Sequence, residues 1–174
     1  MKIRTFGFAA VVMALVAGGA GAEVKATAPD GLVFQFKGQM PLGREEAWKR
    51  TVAIGSWWSD AHTYSGAAAN MTVDAVAGGC WCEIWPDGEI EHGRVIAMIR
   101  NQLLRFSTAL GPLQDTGVNA AMTISLADGP SPGTTNLTMD YKVVGSTLAN
   151  LASMAAPVDG VLQEQFDRLI KPTP

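Results

Sequence analysis

The sequence predicts an α+β fold in which seven antiparallel strands and one short helix precede a long C-terminal helix. Five segments alternate apolar and polar residues with the period of a half-buried strand. Two others repeat apolar residues every three or four positions, as amphipathic helices do. The strands are grouped rather than interleaved with helices, which separates α+β from alternating α/β.

Taken in chain order, residues 1–22 read as a cleavable secretory leader. Lys2 and Arg4 make its start positive, and Phe6 to Ala17 is an uncharged apolar run of 12 residues. Ala20 and Ala22 then stand at −3 and −1 of a small-residue cleavage site. The run falls short of the roughly 20 residues a bilayer span needs, and no Cys near the cleavage point offers a lipid anchor. Cleavage after Ala22 leaves 152 residues, about one domain, without repeat or internal linker. It removes Lys2 and Arg4 but no acid, leaving 11 basic against 16 acidic side chains and a net charge of −5. The expected protein is periplasmic or secreted, with no later membrane span. Its acidity argues against nucleic acid or an anionic membrane as partner.

In the remainder, Leu32, Phe34 and Phe36 form the first alternating set, and Met71, Val73 and Ala75 the second. Asp87-Gly88 reads as a two-residue hairpin loop between strands near 79–86 and 89–99. Leu104, Phe106 and Thr108, then Ala120 to Leu126, then Leu137 to Val143 continue the alternation, the last two joined by the turn Gly129-Pro130-Ser131-Pro132-Gly133. A first helix is expected from about Arg44 to Ser56, with Glu45 and Glu46 in its opening turn, where the helix dipole favours acids. The second begins at Pro157, a residue suited to a first helical turn, and runs to the prolines at 172 and 174. Val158, Val161, Leu162, Phe166, Leu169 and Ile170 form its apolar stripe, which only Gln165 interrupts. Residues 146–156 read as a helical turn before it.

The chain resembles the START-like, or SRPBCC, superfamily, the helix-grip group that includes polyketide cyclase-like and Hsp90 ATPase activator-like domains. The resemblance covers nearly all of residues 30–171. It rests on Trp57-Trp58-Ser59 with His62-Thr63-Tyr64-Ser65-Gly66, on Gly78-Gly79-Cys80-Trp81-Cys82-Glu83, on Glu91-His92-Gly93-Arg94-Val95 and on Leu110-Gly111-Pro112-Leu113-Gln114. It implies a curved seven-stranded antiparallel sheet wrapped around a long C-terminal helix, with an apolar small molecule held between them. Superfamily members share a fold and not a chemistry, so a cavity is implied and its ligand is not. Pro157 departs from the usual single long helix and implies a start, break or kink.

Cys80-Trp81-Cys82 is the sharpest chemical motif. On a strand both sulfurs share one face. The spacing is wrong for a zinc site, and a disulfide across one residue strains the bond geometry. The reading that prevails is two small buried hydrophobes, with disulfide and metal as alternatives.

A loop at Asp87-Gly88 would set Glu83 opposite His92 and Trp81 opposite Arg94, with Cys80, Cys82, Gly93 and Val95 on the other face. A Glu–His pair suits acid–base chemistry, and an Arg on a Trp can hold a carboxylate. The Cys/Gly/Val face is the more apolar, so the pattern favours the solvated face for Glu83 and His92. Trp57, Trp58, His62 and Tyr64, just after the first helix, read either as aromatic clamps around a ligand or as core. Leu110 to Gln114 reads as a lid over the same mouth.

The candidate ligand-binding set is therefore Trp57, Trp58, His62, Tyr64, Trp81, Glu83, His92 and Arg94, with no metal and no cofactor expected. The leading expectation is an exported binding protein for an apolar or amphipathic small molecule. A cyclase/dehydratase-type enzyme using Glu83 and His92, and a protein-interaction adaptor, are the alternatives.

Overall fold

The computed structural model describes residues 21–171; the segment expected to be a leader, apart from Gly21 and Ala22, lies outside them. Among these residues eight strands form one antiparallel sheet: β1 (Gly21–Ala28), β2 (Gly31–Met40), β3 (Met71–Val73), β4 (Cys80–Trp85), β5 (Gly88–Ile99), β6 (Leu103–Ser107), β7 (Asn119–Asp128) and β8 (Thr135–Val144). Their spatial order is β1-β2-β8-β7-β6-β5-β4-β3. The described residues also form two α-helices, α1 (Arg44–Val52) and α2 (Ala155–Ile170). The α+β architecture is as expected, with one strand more. β1, whose sequence shows no clean alternation, is the addition, pairing along β2 from Gly21↔Lys37 to Ala28↔Gly31.

The alternating segments bury the side chains that the period of two selects. Leu32, Phe34, Phe36 and Met40 of β2 face Leu137, Met139, Tyr141 and Val143 of β8 and Met122, Ile124 and Leu126 of β7 in one apolar layer. Register shifts in β1, at the β4–β5 pair and at the β5–β6 pair interrupt the ladders, and such bulges bend strands, which gives an open, curved sheet.

α2 lies on the concave face. Its second half buries Phe166, Leu169 and Ile170, with Phe166 and Ile170 over Gly38 of β2 and the tilted rings of Phe36 and Phe166 5.9 Å apart. Gly38 makes this approach possible, because a Cβ there would come within 2.6 Å of Ile170 Cδ1 and 3.1 Å of Phe166 Cε1. The helix starts two residues before Pro157, so the proline sits in the first turn, where no intrahelical N–H bond is lost, and it neither breaks nor kinks the helix. Of the expected helical turn at 146–156, Thr147–Ala149 and Leu151–Met154 form two 3₁₀ turns ahead of it, and residues 155 and 156 belong to the helix itself. α1 ends at Val52, earlier than expected, and a 3₁₀ turn at Ile54–Ser56 follows.

The β4–β5 hairpin corrects the expected register. Trp85 pairs with Gly88, so Pro86-Asp87 is the loop, and Glu83 pairs with Ile90 rather than His92. One residue further in, Cys82 pairs with Glu91 and Trp81 with Gly93, leaving His92 as the extra residue of a bulge.

Candidate functional site

Only the second half of α2 packs flush on the sheet. Beneath its first half lies a cavity of about 580 Å³, bounded by Pro157, Val158, Val161 and Leu162 of α2, Met154, Tyr141 of β8, His92 of β5, residues 110–113 with Asp115, and Trp58 with residues 62–64. Its volume is in the range of small-molecule sites, and its wall is mostly apolar.

The wall is held from α1 and α2 together. After α1, Trp57 and Trp58 turn inward, fixed by the Arg168 guanidinium donating to both of their carbonyl oxygens at 2.7 and 3.2 Å. The indole N–H of Trp57 donates to Arg50 O and that of Trp58 to His62 O. Gln165, which breaks the apolar stripe of α2, accepts from the buried Ser59 N–H at 2.8 Å. Its amide nitrogen and the indole nitrogen of Trp81 are buried without a partner. Trp58 meets Trp81 edge-on at 5.1 Å, and Trp81 contacts His92 at 5.5 Å and Phe106 at 5.2 Å. At the rim, His62 Nε2 lies 3.1 Å from Glu164 of α2, and Tyr64 is 50% exposed.

The bulge decides the chemistry of the site. It turns His92 to the concave face beside Trp81 and Glu83, all three buried. Gly93 follows where no Cβ fits, since Thr108 Cβ and Ser107 O would lie within 2.7 Å of it. The His92 Nε2 reaches Glu83 Oε2 at 2.9 Å. The same carboxylate accepts the backbone N–H groups of Tyr64 and Ser65. Burial pushes the Glu83 carboxyl up, but the donors from Ser65, Tyr64 and His92 together outweigh it and hold the group below the usual carboxylate range. For His92 burial dominates, and it lowers the imidazole below its ordinary value despite the neighbouring carboxylate. The pair is thus a carboxylate accepting a hydrogen bond from a neutral imidazole. Tyr141 is a third buried polar group. Its hydroxyl donates to Thr108 O and accepts from Leu110 N, and burial raises it to about 12.

The structure gathers four of the sequence-predicted residues, Trp58, His62, Tyr64 and His92, around the cavity. Trp57, Trp81 and Glu83 form the layer behind them. The solvated-face expectation for Glu83 and His92 is overturned: they lie inside and the cysteines outside, while Gly93 and Val95, expected on the cysteine face, are buried. Arg94 does not belong to the site. It pairs with Cys80, is exposed, and donates to Glu91 and Gly78 O, so the Trp81–Arg94 stack is absent. The buried-hydrophobe reading of the cysteines is also corrected, because Cys80 and Cys82 are joined as a disulfide on that outer face. Residues 110–113 border the cavity, as the lid reading anticipated. Tyr141, Met154 and the first turns of α2 were not singled out. For α2 the apolar stripe was a usable signal, because its N-terminal members Val158, Val161 and Leu162 are the ones over the cavity.

A curved antiparallel sheet closed over a C-terminal helix, with a cavity between them, defines a helix-grip protein. Solved structures of that class are similar to the chain. One is a protein from Rhodobacter sphaeroides, with TM-score 0.55 and 19% identity over 86% of this chain and 96% of that one. Another is CalU16 from Micromonospora echinospora, with TM-score 0.54 and 10% identity over 88% and 86%. A third is the Aha1 dimer from Colwellia psychrerythraea, with TM-score 0.53 and 13% identity over 82% and 98%. At such identities the likeness carries the fold alone. No family model and no curated protein matches the chain.

Proposed function

We propose that this is an exported START-like protein that holds an apolar or amphipathic small molecule between the sheet and the first half of α2. The observation that carries the reading is the apolar cavity of about 580 Å³ in a protein whose core is otherwise filled by large side chains. Burying a molecule there removes its surface and that of Val158, Val161, Leu110 and Trp58 from water, at roughly 25 cal/mol per Å². Export is supported by the tripartite leader and by a Cys80–Cys82 disulfide, a bond that persists in oxidising compartments.

Native mass spectrometry of the protein purified from its exporting host, compared with the denatured mass, tests the binding. A co-purifying small molecule is expected, and it should be lost in Val161→Trp, which fills the cavity. An empty wild-type protein that also fails to retain added apolar probes would sink the reading.

A second reading, acid–base catalysis, is favoured by one observation: the Glu83–His92 pair is buried and His92 borders the cavity. Turnover of a bound compound that stops in His92→Phe while binding persists would establish it. The adaptor reading required a filled interior and gains no support from a molecule with this cavity.

A further inference from the structure

We infer that the cavity's occupant presents a neutral hydroxyl, phenolic or alcoholic, that donates a hydrogen bond to His92 Nδ1, and that carboxylates are excluded. The inference rests on the small-molecule-binding reading and concerns which chemistry that site accepts.

The argument begins with the tautomer. Glu83 already accepts two backbone N–H groups and, as a carboxylate, has no proton to offer. The 2.9 Å contact therefore has the His92 Nε2–H donating to it, which leaves Nδ1 with a free lone pair. Nδ1 has no hydrogen-bond partner among the described residues. It is nevertheless absent from the fully enclosed, unpartnered atoms among the described residues, which are Trp81 Nε1, Asn101 Oδ1, Asp159 Oδ1 and Gln165 Nε2. His92 is 4% exposed and borders the cavity, so the cavity is where Nδ1 is reachable. The buried face thus offers an acceptor. The other buried polar group on the wall, the Tyr141 hydroxyl, is already committed to Thr108 and Leu110.

Charge supplies the exclusion. Among the described residues no Lys or Arg borders the cavity, Asp115 does, and the Glu83 carboxylate stands directly behind His92. His62, the other imidazole, faces Glu164 at the rim. Arg94, the cation that would have held an anionic group, is on the outer face with Glu91. A carboxylate entering the apolar cavity would give up its hydration for a lone pair and neighbouring negative charge, whereas a neutral hydroxyl would satisfy Nδ1.

The test uses three probes of one shape, 4-phenylphenol, 4-methoxybiphenyl and biphenyl-4-carboxylate, titrated at pH 7.5 against tryptophan fluorescence, since Trp58 is in the wall. The phenol is expected to bind about tenfold more tightly than the ether, the margin of roughly one hydrogen bond, and more than tenfold more tightly than the carboxylate. In His92→Phe the phenol-to-ether ratio should fall towards one. The wild-type ranking stands as a test even where that variant fails to fold. Binding of all three without preference, or a carboxylate as tight as the phenol, overturns the inference and leaves the cavity reading standing. A complete lack of binding, by fluorescence and by native mass, overturns both.

Discussion

At the scale of single residues, the site depends on one added backbone position. His92 is drawn inside because β5 carries a residue that β4 does not match, and Glu83 then fixes it. Both groups titrate below their ordinary values, so both make the fold acid-sensitive, and the sign follows from proton counts. Between the lowered His92 value and the ordinary 6.5, the unfolded chain binds a proton that the folded chain does not. Stability therefore falls as pH drops below about 6.5. Glu83 adds a second loss, from its ordinary 4.5 downward through its folded value. Urea midpoints measured from pH 8 to pH 4 should show the first limb in the wild type, and His92→Gln should flatten it while leaving the lower one. A wild-type midpoint constant from pH 8 to 5 would contradict this assignment. Glu83→Ala strands two backbone N–H groups and should cost about 1–3 kcal/mol at pH 7.

At the scale of elements, α2 performs two tasks along its length. Phe166, Leu169 and Ile170 clamp it to β2, and Pro157, Val158 and Val161 roof the cavity. Gly38 sets the clamp's distance. Gly38→Val should destabilise by about 1–3 kcal/mol through overpacking against Ile170 and Phe166. Hydrogen exchange should speed up in α2 far more than in β7 and β8, and uniform acceleration would count against a local clamp. The stripe on α2 was readable as a stripe, but its division into clamp and roof was not. Val158 and Phe166 belong to the same period, and only the curvature of the sheet beneath them separates their roles. Gln165 looked like a flaw in that stripe and is a buried tie to Ser59.

At the scale of the molecule, two features bear on export. β1 begins at Gly21, so cleavage after Ala22 would trim the first two residues of the edge strand and leave its pairing from Glu23↔Gln35 onward. Intact mass after export should show the loss of residues 1–22 and a two-dalton deficit for the disulfide. A full-length mass would remove the leader reading. The Cys80–Cys82 loop is so short that chain entropy assigns it only about 1–2 kcal/mol, so reduction should lower the melting temperature modestly without unfolding the protein.

Much of this protein was legible as local pattern. Seven of the eight described strands, the two helices, the Trp-Trp and His-Thr-Tyr residues at the mouth and the 110–113 segment beside the cavity are all features of one short window each, and windows of that length carry the periods of strands and helices. What the sequence could not supply was register. Whether the loop was Asp87-Gly88 or Pro86-Asp87 shifts every β4–β5 pair, and a bulge at His92 is a mismatch between two strands that neither strand records alone. Face assignment failed for the same reason. The cysteines, Gly93 and Val95 read as the apolar side, yet the paired sulfurs lie outside and Glu83 lies inside, because backbone donors from Tyr64 and Ser65 come to meet its carboxylate. The sequence by itself determined a sheet, a helix and an apolar seam between them. The tertiary structure alone decided where that seam stays open and that His92 borders it, because both are set by contacts between segments distant in the chain.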